Sequence, residues 1–205
     1  MTTTLFTNAH IATGEPGSTA ASTLPLQDIL VTDGVFTAFG PGLAQQYEAQ
    51  GGNLAAIEVV DLGGKLVCPP FCDTHLHLDY VFTAHKPGAV NESGTLFEGI
   101  QRWSETKSDL TVDEIKQRAK IGIKKEMLHG VQFIRSHADV TDPKLTSLKA
   151  LLELKEELKD TVTIQIVSFP QEGMYSYEGP HGESGADLVE EGLKMGADCV
   201  GGIPH

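Results

Sequence analysis

Between Thr4 and Leu66 the apolar residues come in brief alternating runs: Leu5-Phe6-Thr7-Asn8-Ala9-His10-Ile11, Asp28-Ile29-Leu30-Val31-Thr32, Val35-Phe36-Thr37-Ala38-Phe39 and Ala56-Ile57-Glu58-Val59-Val60. Alternation with period two over runs of this length predicts half-buried strands. Asp33-Gly34 joins the second run to the third and predicts a type I′ hairpin, because both central positions of that turn need positive φ. The polar or glycine-rich stretches Gly14–Thr19 and Gln45–Asn53 predict surface loops. Residues 1–66 are therefore expected to fold as a small β-sandwich, with His10 on its sheet surface.

After Val67 the rhythm changes to strands alternating with helical periodicity, which predicts a parallel sheet with crossover helices. Strands are expected at Leu66–Cys72, Val131–Ser136, Val162–Phe169 and Cys199–Ile203. Helices are expected near Leu96–Thr106, from Thr111 to His129, at Lys144–Leu158 and from Ser184 to Met195. Thr111-Val112-Asp113-Glu114 has the form of a capping box, and Gly130 stands where helix C-termini favour glycine. The expected class is α/β, with residues 67–205 forming four βα units.

Composition narrows the partners. The 28 acidic residues exceed the 15 basic ones, giving a net charge of −13. Nucleic acids and anionic membranes are bound largely through Lys and Arg, so neither is expected as a partner and a small uncharged substrate fits better. No apolar run approaches the roughly 20 residues of a membrane span. The first residues carry neither a basic start nor an apolar core, so no signal peptide is predicted. Cys68, Cys72 and Cys199 are odd in number and sit in apolar runs, which reads as reduced, buried thiols and a cytoplasmic location.

The chemistry concentrates in Val67-Cys68-Pro69-Pro70-Phe71-Cys72-Asp73-Thr74-His75-Leu76-His77-Leu78-Asp79. Histidines spaced i, i+2 on an extended backbone project to the same side, so His75 and His77 are placed to chelate one divalent metal, zinc or iron. A catalytic zinc site needs about three protein ligands and an open position, so the pair is half a site. A strand that ends in ligands and opens into the long loop from Tyr80 to Gly94 is how active sites are built at barrel strand ends. Cys68 and Cys72 are near His75 in sequence, but Pro69-Pro70 breaks the alternation that would align them with it.

The same segment resembles the first-strand signature of the amidohydrolase superfamily, Pro-Gly-Phe-(Val/Ile)-Asp-x-His-x-His, with Pro70 and Cys72 replacing the usual Gly and Val. Three further segments are similar to successive motifs of its bacterial-type cytosine deaminase branch. They are Ser93-Gly94-Thr95-Leu96-Phe97-Glu98-Gly99-Ile100-Gln101-Arg102-Trp103, Arg135-Ser136-His137-Ala138-Asp139-Val140 and Phe169-Pro170-Gln171-Glu172-Gly173. Gly201-Gly202-Ile203-Pro204-His205 is a fourth. The resemblance implies hydrolytic deamination of cytosine or a similar free nucleobase on a (β/α)8 barrel. A complete barrel takes about 250 residues, so this chain is expected to hold the first half of one. The chain has no Cys-x-x-Cys, which sets it apart from the smaller zinc deaminases that act on nucleic acids.

The resemblance further implies that His75 and His77 are metal ligands, Gln171 binds the base and Leu96 packs near it. The proton-shuttling Glu and the remaining ligands are expected beyond His205. Strand four ends without a Lys, which favours one metal ion. His137 and Asp139 end the second strand on one face and are candidates to support the ligating histidines from behind. Glu172 is expected to be structural, and Phe97 and Trp103 to be core. His85 and His181 read as loop residues. Two alternatives stand beside cytosine: another heterocycle such as isocytosine or an isoguanine-like base, or a catalytically inert half-barrel. A full-length enzyme of this kind is expected to form homo-oligomers.

Overall fold

The computed structural model of the chain describes residues 2–12 and 24–203. The expected loop at Gly14–Thr19 and the last two residues of the Gly201–His205 segment, Pro204-His205, lie outside the described residues. Internal packing divides the chain into two compact units, Met1–Pro69 and Pro70–His205.

The first unit is built on strands β1 (Thr3–Ile11), β2 (Leu26–Thr32), β3 (Val35–Gly40), β4 (Glu58–Asp61) and β5 (Leu66–Val67). They form one sheet in the order β3-β2-β1-β4, with β5 pairing beside the end of β1. A sandwich of two sheets was expected, and among the described residues there is one sheet instead. Part of the supposed Gln45–Asn53 loop is a helix, α1 (Leu43–Ala49), which packs on β1, β2 and β3. Its residues Leu43-Ala44-Gln45-Gln46-Tyr47-Glu48-Ala49 favour helix intrinsically. It buries only Leu43, so no apolar stripe announces it. The buried Asp28 carboxylate fixes it by accepting the Leu43 N–H at 2.9 Å and the Asn8 N–H of β1 at 3.1 Å. The Asp33-Gly34 turn has φ of 49° and 78°, as the type I′ reading requires.

The second unit carries four parallel strands in sequence order: β6 (Phe71–Leu76), β7 (Val131–Asp139), β8 (Thr163–Phe169) and β9 (Cys199–Val200). Between them run α2 (Leu96–Lys107), α3 (Val112–Leu128), α4 (Thr146–Glu157) and α5 (Gly185–Met195). The single strand expected over Leu66–Cys72 is two. Prolines donate no N–H, so Pro69-Pro70 interrupts the ladder; β5 stays with the first unit and β6 begins beyond them. Cys68 and Cys72 are exposed and Cys199 half-buried, not the buried thiols expected.

One face of this sheet meets the helices. Ile134 and Ala138 of β7 and Ile164 and Ile166 of β8 pack with Ile115, Ala119 and Ile123 of α3 and Leu148, Leu151 and Leu154 of α4. Each such Leu or Ile contributes roughly 1.5–3 kcal/mol on burial. Helix starts are pinned chemically: Thr111 with Glu114, and Ser184 with Asp187, form capping boxes in which each side chain bonds the other's backbone N–H. The third expected helix starts at Thr146, two residues late, because the Asp142 carboxylate takes the N–H groups of Lys144 and Thr146 and Leu145 adopts φ of 51°. No helix among the described residues is long and apolar enough to cross a membrane.

Gly192 lets α5 lie close to β8. A Cβ there would stand 2.5 Å from Ser168 Oγ and 3.2 Å from Leu148 Cδ2. Ser168 Oγ is held by its bond to the Val189 carbonyl at 3.2 Å. Alanine adds about 1 kcal/mol of helix propensity, but overpacking costs about 1–3 kcal/mol, so crowding wins. Gly192→Ala is expected to lower the midpoint of urea unfolding; a higher midpoint would show that the contact relaxes freely.

Candidate active site

The end of β6 is shaped by Asp73, whose Oδ1 accepts the His75 N–H at 2.9 Å. Pairing between β6 and β7 slips over Asp73–Leu76. His75 and His77 then project together, with Nε2 atoms 3.3 Å apart and ring centroids 5.2 Å apart. Two imidazoles on one tetrahedral zinc, at about 2.0–2.1 Å each, have nitrogens about 3.3–3.4 Å apart, so the pair fits a shared metal ion. The same spacing suits an N–H···N bond in metal-free protein. Among the described residues no third His, Cys, Asp or Glu joins them in a metal-holding cluster.

The far nitrogen of His77 fixes its tautomer. Nδ1 lies 3.2 Å from the His137 carbonyl, which can only accept, so Nδ1 carries the proton and Nε2 keeps its lone pair. Burial, helped by the charges of His137 and His75, lowers the His77 pKa to about 4 and keeps the ring neutral. His137 thus supports the pair in two ways: its carbonyl orients His77, and its ring stacks on His75 with centroids 4.1 Å apart. Phe169 closes against both His77 and His137 edge-on.

Asp139 does a different job from the one expected of it. Its carboxylate does not bond either histidine ring; it accepts Trp103 Nε1–H at 2.7 Å, Lys107 Nζ at 3.0 Å, the Thr141 N–H at 2.8 Å, Thr141 Oγ at 2.6 Å and the Gln171 N–H at 3.3 Å. Asp79, fully buried, accepts the Asp139 N–H at 2.9 Å, and burial pushes its carboxyl up to about 7. Glu172 accepts Ser104 Oγ–H and Lys107 Nζ.

Gln171 and Leu96 meet in one cleft of about 420 Å³, together with Tyr80, Asn91, Ile100 and Trp103; none of its lining residues is charged. Gln171 is buried, and its side-chain amide makes no hydrogen bond among the described residues, whereas both ends of the Asn91 amide are used on Thr95 and Gly94. Tyr80 connects cleft and histidines, stacking on His77 at 4.5 Å and meeting Trp103 at 4.7 Å. Sequence reasoning assigned Tyr80 no role and read Trp103 as core. Trp103 is buried, but its indole N–H and its place in the cleft wall give it more to do. Tyr80 carries no periodic signal, since it lies in the loop after β6; only its nearness to His77 pointed to it.

Residues 58–195 match the model of the amidohydrolase family, and the chain belongs to that family. It is 35% identical over 148 residues to N-isopropylammelide isopropyl amidohydrolase of Pseudomonas sp. (strain ADP), which is 70% of this chain and 36% of that protein. Among solved structures it is similar to 5-methylcytosine deaminase from Klebsiella pneumoniae liganded with 5-fluorocytosine, with a TM-score of 0.80 and 40% identity over 98% of this chain and 43% of that one. N-isopropylammelide isopropylaminohydrolase from Burkholderia multivorans shares the fold, with a TM-score of 0.71 and 24% identity over 98% and 44% of the two chains. The chain spans less than half the length of these relatives.

In metal-free protein, His77 is expected to titrate near pH 4, against an ordinary 6.5. Between those values only the unfolded chain takes up the proton, so stability should fall as pH drops through this window and level off below it. His77→Gln should remove that part of the slope. An imidazole NMR titration placing His77 near 6.5 in the folded protein would contradict a buried neutral ring.

Proposed function

We propose that this chain supplies the metal-holding histidine pair and the base-binding cleft of a metal-dependent hydrolytic deaminase acting on cytosine or a similar free nucleobase. The observation that carries the reading is Gln171. Its unengaged carboxamide is presented in an uncharged cleft whose aromatic wall, Trp103 and Tyr80, leads directly to His77. A carboxamide offers an N–H donor and a carbonyl acceptor side by side, which complements a ring N–H beside a carbonyl, as on the N1–H/O2 edge of cytosine. The absence of a cation in the lining favours a free base over a phosphorylated nucleotide. The 40% identity to a 5-methylcytosine deaminase supports the same substrate class.

A divalent ion, zinc or iron, supplies Lewis acidity that makes water a usable nucleophile near neutral pH. His75 and His77 would hold it through Nε2, and the His137 carbonyl keeps the His77 lone pair available for it. Gln171 orients the base, Leu96 and Ile100 cover it from α2, and Tyr80 helps keep bulk water from the histidines. Asp139 is committed through both oxygens, Asp79 is fully enclosed with one oxygen on the Asp139 N–H, and Glu172 is tied to Ser104 and Lys107, so we assign the proton shuttle to none of them. A second reading, hydrolysis of N-isopropylammelide or a related heterocycle, is favoured by the 35% identity to the Pseudomonas relative.

In the full-length protein, Gln171→Ala is expected to raise the KM for the base by about tenfold or more while metal content stays level, because a polar partner built for the substrate is lost. His75→Ala and His77→Ala should each cut bound metal and activity together. Measuring ammonia release from cytosine and amine release from N-isopropylammelide side by side decides between the two substrates. Loss of metal in Gln171→Ala with an unchanged KM would sink the assignment.

A further inference from the structure

We propose that Lys107 is a positioning residue for Gln171, setting the orientation of the carboxamide by tying α2 to the turn after β8. The proposal rests on the deaminase reading for the substrate that reports it. Lys107 is the last residue of α2, and its side chain is 10% exposed. Its ammonium has three donors, and all are used: on Asp139 Oδ2 at 3.0 Å, on Thr141 Oγ at 2.9 Å and on Glu172 Oε1.

These partners bracket Gln171. Asp139 accepts the Gln171 backbone N–H, Glu172 is the next residue along the chain, and Ser104 of α2 donates to the same Glu172 oxygen at 2.9 Å. The Gln171 side chain has no hydrogen bond of its own among the described residues, so its direction is inherited from this backbone. The opposite wall of the cleft, Leu96 and Ile100, belongs to the helix that Lys107 ends. One ammonium therefore fixes the separation of both walls. Without it, two carboxylates lose the cation they share, and Glu172, the more exposed of the two, keeps only its bond from Ser104 to resist swinging outward with the Gln171 peptide.

The test uses the full-length protein. Lys107→Met keeps the stem and removes the charge; it is expected to raise the KM for cytosine about tenfold, with kcat within about threefold and metal content unchanged. Lys107→Arg, which retains the charge, should recover part of the loss. In a Gln171→Ala background the Lys107→Met effect on KM should disappear, because the residue acts through Gln171. An effect that adds in full to that of Gln171→Ala, or a lowered Tm with an unchanged KM, would overturn the proposal. If the unaltered protein turns over no base, the functional reading fails instead, and the tie is judged by hydrogen exchange over residues 169–174. Faster exchange in Lys107→Met supports it and unchanged exchange refutes it. Should Lys107→Met not fold, Glu172→Gln loosens the same tie from its exposed end and carries the same comparisons.

Discussion

The second unit depends on one buried carboxylate. Asp139 ends β7 inside the protein, where an unpaired charge is not tolerated, and its two oxygens are met by the indole of Trp103, the ammonium of Lys107, the backbone and hydroxyl of Thr141 and the backbone of Gln171. Those donors come from α2, from the β7 end and from the turn after β8. Elements far apart in sequence thus converge because one anion requires them to. Removing one partner of a buried ion pair of this kind typically costs about 3–5 kcal/mol. The neighbouring Asp79 extends the same logic to the loop after β6, by holding the Asp139 N–H.

Much of this was legible in the chain, and the reasons are specific. Period-two and period-3.6 patterns placed β7, β8 and the four helices of the second unit within a few residues, because the caps are local; the first strand starts at Phe71 and not Leu66, and the last, expected over Cys199–Ile203, is Cys199–Val200. The spacing of His75 and His77 predicted their shared direction, and the two residues matched to the base-binding motif, Gln171 and Leu96, do line one cleft. Short-range chemistry is written in short stretches of sequence.

What was missed depends on contacts between distant segments. Asp139 looked like support for the histidines because it sits two residues after His137 on the same strand. Only the folded chain shows Trp103 and Lys107, more than thirty positions earlier, claiming its oxygens. Helix α1 hid because it buries a single residue; among the described residues the first unit is one sheet with that helix packed on it. Pro69-Pro70 reads in the sequence as a break in alternation; in the structure it is the place where one strand becomes two, each joining a different sheet.

The bond from His77 Nδ1 to the carbonyl of His137 has an evolutionary consequence. Every amino acid supplies the same main-chain oxygen, so the tautomer that keeps Nε2 open is inherited from the path of β7 and not from the side chain at that position. Drift at position 137 can change the packing over His75 without rewriting the protonation pattern of its neighbour. Descendants of this scaffold could therefore explore new side chains beside the histidine pair while its protonation pattern stays constant.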